Sequence, residues 1–571
     1  MRIHLALAVA LTLLAQGANA ATDPAVHYHV STAMAGDDLQ AIVFDVRFKA
    51  DEDGQTEIDF PDHWGGGREF YKALKDIQIT GASHIETPPD HPEARILTSK
   101  PNAPITVTYR LYTNRTKGEE GPLDTDMRYP IIGPERFYLT GQQVMLWIDG
   151  RDDAPATFSY KMPEGWTFAS DLEDLQLGGG TPNQVIPSVM LAGRDVHIDT
   201  IKTAHTRLRI ATAGRFDFSA ADFQDRIARV IETEQAFWND GQPAFLVTLA
   251  PLESGAGAQS MHGTGLDDAF AMVTTPSVPV ERLNVTLAHE YFHSWNYRKL
   301  GSWYSTGDEA LGYWFSEGFT DYYGRKLALR AGVIDLRQFV ALWNQALGEY
   351  AASPHRTTPY AEIRDNFWKD EDWGQMPYDR GSQVAALWNR RWHNQGVTLD
   401  RFMLALRDRV ATDPAFAALP LPDRLKSIAS QLGVSVEPEL SDSIDRGDAL
   451  SLPMDGLGGC LRVVNEDAAD FDPGYDTEKT IATGVFSSVD PEGNAYKAGL
   501  RDGMKRLARL SGEPNDSSVP LSYRVTDPEG AEKIISYLPQ GKMHHPRQRV
   551  IMPEGLDAEA LKTCAAEVAA Y

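Results

Sequence analysis

Cysteine is nearly absent: the 571 residues include only Cys460 and Cys564. A small scaffold held by many disulfides is thereby excluded. In an oxidising compartment the two would be expected to pair, and otherwise they are two buried thiols. Beyond the first twenty residues no stretch approaches the roughly 20 apolar residues of a membrane helix, so no membrane span is expected. Basic residues are also in deficit, 54 Lys and Arg against 80 Asp and Glu, for a formal charge of -26. A surface so acidic repels phosphate backbones and argues against a nucleic-acid partner. Internal repeats and low-complexity tracts are missing too.

The amino terminus has its own pattern. Arg2 is followed by an apolar run from Leu5 to Leu14 and by the small-x-small stretch Ala18-Asn19-Ala20. This reads as a secretory signal peptide over residues 1–20, with a mature protein exported to the periplasm. The remaining chain is too long for one core, so several domains are expected. The oligomeric state is left open.

Residues 21–215 alternate with period two. Ile105, Val107, Tyr109 and Leu111 interleave with Thr106, Thr108 and Arg110, as a half-buried strand requires. Arg207-Leu208-Arg209-Ile210 reads the same way. The expectation is an N-terminal antiparallel β-sandwich domain. From Ser219, a good N-cap, Phe223, Ile227, Val230 and Ile231 fall on one helical face. A mainly helical domain over 216–440 is expected, then a polar linker from Glu437 to Asp448, then a strand-and-turn domain over 449–571. The fold class is α+β multidomain.

The chemistry is concentrated in His289-Glu290-Tyr291-Phe292-His293, an HExxH pattern. Residues four apart share a helix face, so His289 and His293 can offer two imidazoles to one zinc. Glu290, about 100° further round the helix, sits beside the metal, where it can take a proton from water. A catalytic zinc wants three protein ligands and an open position. Glu317, in Trp314-Phe315-Ser316-Glu317-Gly318-Phe319-Thr320-Asp321, supplies the third. Asp321, one turn on, can accept the outer N–H of a ligating histidine. One zinc per chain is expected. His262 and His355 lack partners at ligand spacing.

These two segments, HEYFHSWN and WFSEGFTDYY, resemble the glycyl aminopeptidase family of zinc metallopeptidases. The resemblance implies a thermolysin-like catalytic domain followed by a PDZ domain. It also implies zinc on His289, His293 and Glu317, with Glu290 as general base. Pro377-Tyr378-Asp379-Arg380-Gly381, ahead of a helical Ser382 to Arg391, is similar to the family's Tyr-x-Lys-Gly segment. It implies Tyr378 as oxyanion donor, with Arg380 in the lysine's place at the substrate. Thr264-Gly265-Leu266-Asp267-Asp268 takes the position of the family's cleft-edge strand. Gly265, Asp267 and Asp268 are therefore the expected substrate contacts, although Asp267 stands where the family has a longer glutamate. Gly458 to Val463 and Ala495 to Gly503 resemble PDZ segments. Ser511 to Lys533, however, lacks the amphipathic helix that walls a peptide groove.

The expected activity is removal of N-terminal residues from short peptides. An endopeptidase of the same fold is one alternative. A non-catalytic periplasmic peptide-binding protein is another, but an inactive cleft has no chemical need for Glu290.

Overall fold

The computed structural model describes residues 26–571 except 66, 114–128, 176–178, 253–259, 297, 301–308 and 513–514. The expected signal peptide lies outside the described residues. The alternating N-terminal pattern folds as read. In the strand Pro104–Tyr112 the residues Ile105, Val107, Tyr109 and Leu111 are fully buried. It pairs antiparallel with Asp38–Lys49, setting Phe44 opposite Tyr109 with their rings stacked at 5.0 Å. A five-stranded sheet contains both strands, and it shares one apolar core with two four-stranded sheets. The Tyr109 hydroxyl, fully buried, donates to Val144 O at 2.9 Å and so keeps its polar end satisfied. The expected antiparallel order has an exception, since Val26–Ala35 runs parallel to Ala156–Lys161.

The sheet under the site begins earlier than the change of texture at Ser219. Its strand order is His197–Lys202, Arg207–Thr212, Ala244–Pro251, Ala269–Thr274 and Met261–Gly265. The expected boundary at 215 therefore falls between Arg207–Thr212 and the helix Ala220–Trp238, which leads to the parallel neighbour Ala244–Pro251. Period two alone could not tell which sheet Arg207–Thr212 joins. Helices cover one face of this sheet through Leu208, Ile210, Val247, Leu249, Phe270 and Met272. Tyr138, Val189 and Leu191 of the N-terminal region cover the other. Ala269–Thr274, buried at every position, is apolar from Ala269 to Val273 for that reason. Ser219 caps Ala220–Trp238 as read, its Oγ accepting from Asp222 N at 3.1 Å.

The C-terminal stretch is divided between two cores. Lys505–Ser511, Leu521–Thr526 and Glu532–Tyr537 form a meander around Phe486, Leu500, Tyr523 and Val525. The long pair Arg462–Phe471 and Gln540–Ile551 and the terminal helix Ala558–Ala570 instead join the large helical core through Val463, Val550 and Val568. Asn344 fixes that junction, its side chain donating to Val550 O at 3.1 Å and accepting from Val550 N at 2.7 Å. Cys460 and Cys564 are disulfide-bonded. Glu437 to Asp448 is not a solvated linker: Leu440 and Ile444 are buried, and Glu439 accepts from Trp388 Nε1 at 3.1 Å. No described helix is long and apolar enough to cross a membrane.

Candidate metal centre

The HExxH residues lie at the end of the helix Val280–Phe292, whose Leu283, Leu287, Tyr291 and Phe292 are buried against the core. That burial fixes the helix rotation and leaves His289 and His293 on the open side. Glu317 comes from the helix Tyr313–Arg330. Fully buried Asn296 ties the two together, donating from Nδ2 to Ser316 O at 2.9 Å and to Thr320 Oγ1 at 2.9 Å. Gly324 lets them approach: a Cβ there would meet the His289 backbone at 3.3 Å.

Three donor atoms converge. His289 Nε2 and His293 Nε2 each lie 3.3 Å from Glu317 Oε2, and 3.2 Å from each other. Tetrahedral bonds of about 2.0–2.1 Å would give ligand-to-ligand edges of about 3.3–3.4 Å, so the triangle fits a metal ion of zinc's size. It is the one such cluster of His, Cys, Asp or Glu among the described residues. Asp321 Oδ1 lies 2.9 Å from His289 Nδ1. The proton is thereby held on Nδ1, leaving the Nε2 lone pair for a ligand. Arg325 bonds the other Asp321 oxygen at 2.6 Å. Burial opposes ionisation of Asp321, yet Arg325 and His289 outweigh it and keep the carboxyl below its usual range. Glu317 is likewise held low: burial opposes ionisation, but the two imidazoles prevail.

Glu290 is gripped from the sheet edge. Gly265, last residue of Met261–Gly265, donates its N–H to Glu290 Oε2 at 2.6 Å. A side chain at 265 would crowd this contact, its Cβ standing 3.3 Å from Oε2. Tyr378 lies inside the helix Glu371–His393, not ahead of one as the Pro and Gly around it suggested. Asp370 caps that helix by accepting from Trp373 N at 3.2 Å, and burial of Trp373, Met376, Pro377, Val384 and Trp388 holds it helical through the local breakers. The Tyr378 ring stands 6.1 Å from the His289 ring and nearly parallel to it. Burial first, then the charges of Glu317, Asp321 and Glu290, push its hydroxyl well above the usual range, so it remains a hydrogen-bond donor.

Other expectations need correction. Arg380, expected at the substrate, is fully buried and donates to Thr358 O at 2.8 Å and to His355 O at 3.2 Å. It braces a loop because burying a guanidinium requires that its donors be satisfied. Asp267 is paired with Arg298, Nη1 to Oδ1 at 3.0 Å. No spacing rule pointed to Arg298, nor to Asn296. Asp268 is exposed beside the strand edge. His262 contacts Ser260 and His355 stacks on Trp373, so neither joins the cluster.

Two imidazoles, a carboxylate and an adjacent acid on a helix pair beside a sheet edge define a metallopeptidase of the HExxH class. The peptidase M61 N-terminal domain matches residues 27–183, and the M61 glycyl aminopeptidase matches residues 282–373. Both matches are to the M61 peptidase family, and they support peptide-bond hydrolysis by a metallopeptidase. The fold is shared with the crystal structure of an aminopeptidase N family protein from Idiomarina loihiensis. That match has a TM-score of 0.66 at 16% identity and covers 94% of this chain and 99% of that one. A mutant M1 zinc metallopeptidase from Deinococcus radiodurans is more distant, with a TM-score of 0.47 at 14% identity over 75% of this chain and 94% of that one. No curated protein matches the sequence.

Proposed function

We propose that this protein is an exported zinc aminopeptidase acting on short peptides with small first residues. The observation that carries the reading is the His289–His293–Glu317 triangle beside a Glu290 held by the cleft edge. Zinc bound by those three side chains would supply Lewis-acid polarisation of the scissile carbonyl and a water acidic enough to attack at neutral pH. Glu290 takes the proton from the attacking water and returns it to the leaving amine nitrogen as the C–N bond breaks. Its bond from Gly265 holds the carboxylate in place for both transfers. Tyr378, kept protonated, donates to the oxygen that gains negative charge. The Gly265–Asp267 edge carries the substrate backbone and, at Asp267, a carboxylate for the substrate ammonium.

Export to the periplasm is part of this reading, and the Cys460–Cys564 bond supports it, since structural disulfides persist in oxidising compartments. Within residues 449–571 we read the meander around Phe486 and Tyr523 as the PDZ-like part, with weak or no peptide binding. The test is metal content together with hydrolysis of free and N-blocked peptides. The reading expects one zinc per chain and faster trimming of free peptides. Internal cleavage of N-acetylated peptides at equal rate would make the protein an endopeptidase. Absence of any hydrolysis by the zinc-loaded protein would favour a peptide-binding role.

A further inference from the structure

The cleft edge ends at a corner of unequal charge. Asp267 and Asp268 lie just past Gly265, and Asp171 approaches from the N-terminal region. The Asp171 carboxyl is raised to about 7, by burial first and then by the fields of Asp268 and Asp267. Against these acids stands Arg298, from the turn that follows the metal-binding helix, 3.0 Å from Asp267. Arg298 is largely covered, at 17% side-chain exposure, while Asp267 keeps 42%. The pair is close to the reaction centre. Gly265, two positions before Asp267, touches Glu290 at 2.6 Å, and a Cβ on Gly265 would stand 3.6 Å from His293 Cβ.

We infer that Arg298 is an internal cation that a substrate's ammonium must displace from Asp267, so that Arg298 sets the preference for free over blocked amino termini. This rests on the aminopeptidase reading above. A carboxylate already paired with a guanidinium has little attraction left for a second cation. Binding of a free amino terminus is then an exchange of one ion pair for another, with small net gain. The guanidinium cannot leave by losing its proton, because arginine remains charged at any working pH. A second carboxylate at the corner, the exposed Asp268, keeps the exchange possible. A blocked peptide brings no cation, leaves the pair intact and loses little by comparison. Asp267 alone would favour free termini strongly; Asp267 with Arg298 favours them modestly.

The test measures binding, independently of turnover, in the Glu290→Gln background with zinc present. The probes are trialanine and N-acetyl-trialanine, and the readout is the ratio of their dissociation constants. Adding Arg298→Met should raise the preference for the free peptide about fivefold, the upper range for one partly exposed ion pair. Arg298→Lys, which keeps the cation, should stay within about twofold of the parent. Adding Asp267→Asn to Arg298→Met should cancel the gain. An unchanged or lower ratio in Arg298→Met overturns the inference. If that variant fails to fold, Arg298→Gln carries the same expectation and the same refutation. Lack of trialanine hydrolysis by the unmutated protein would count against the proposed function, whereas the binding ratio alone decides the role of Arg298.

Discussion

Gly318 meets Gly381 with no room for a side chain: a Cβ on Gly318 would lie 2.4 Å from Gly381 Cα, and one on Gly381 would lie 1.8 Å from Trp314 O. At this crossing the Glu317 helix and the Tyr378 helix touch backbone to backbone. The contact sets the spacing between the metal triangle and the tyrosine hydroxyl. Gly381→Ala must therefore push the helices apart, at a cost of about 3 kcal/mol. A melting temperature several degrees lower and a loss of activity beyond the loss of folded protein are expected, from thermal unfolding and rates on the folded fraction.

Metal content separates ligands from base. Glu317→Ala and His293→Ala should each lose the bound zinc, which elemental analysis after dialysis would show. Glu290→Gln should keep the zinc and lose most turnover, because an amide cannot accept the proton. Activity within a few-fold of the parent in Glu290→Gln would remove it from the base role.

Tyr378→Phe should lower kcat by roughly 10²–10³, the usual loss for one oxyanion donor, with KM little changed. Steady-state kinetics on one short peptide decides this. A rise in KM alone would make Tyr378 a ground-state contact.

The Cys460–Cys564 bond closes a sequence separation of 104 residues and ties the start of the C-terminal stretch to the terminal helix. In the chain-entropy model a loop this long contributes up to ~4–5 kcal/mol. Cys564→Ser should lower the melting temperature and should not remove the zinc. Two alkylatable thiols in the native exported protein would contradict the pairing.

Asp171 gives stability a pH dependence of definite sign. Its folded carboxyl titrates at about 7, well above the unfolded value, because burial and neighbouring acids oppose its charge. From about pH 4 to about pH 7 the unfolded chain releases a proton that the folded chain keeps. Stability from this group therefore falls as pH rises through that window. Asp171→Asn, which can still accept from Val189 N, should flatten the slope and melt higher than the parent above pH 7. Parallel melting curves for the two forms across that range would refute it.

The donor set was legible in the sequence because a helix turns a spacing of four into a shared face, with no help from the rest of the chain. His289 and His293 needed only Val280–Phe292 to be helical, and Asp321 needed only to sit one turn beyond Glu317. The alternation in Pro104–Tyr112 was legible for the same local reason. What pairs residues distant along the chain was not. Arg207–Thr212 alternates like any half-buried strand, and only hydrogen bonding to Ala244–Pro251 assigns it to the sheet under the site. Arg298 against Asp267, Asn296 against Ser316, Gly318 against Gly381 and the burial of Arg380 follow from helix crossings and chain reversals that no period encodes. Helical and strand periods constrain each element's own faces, whereas tertiary packing alone decides which faces meet.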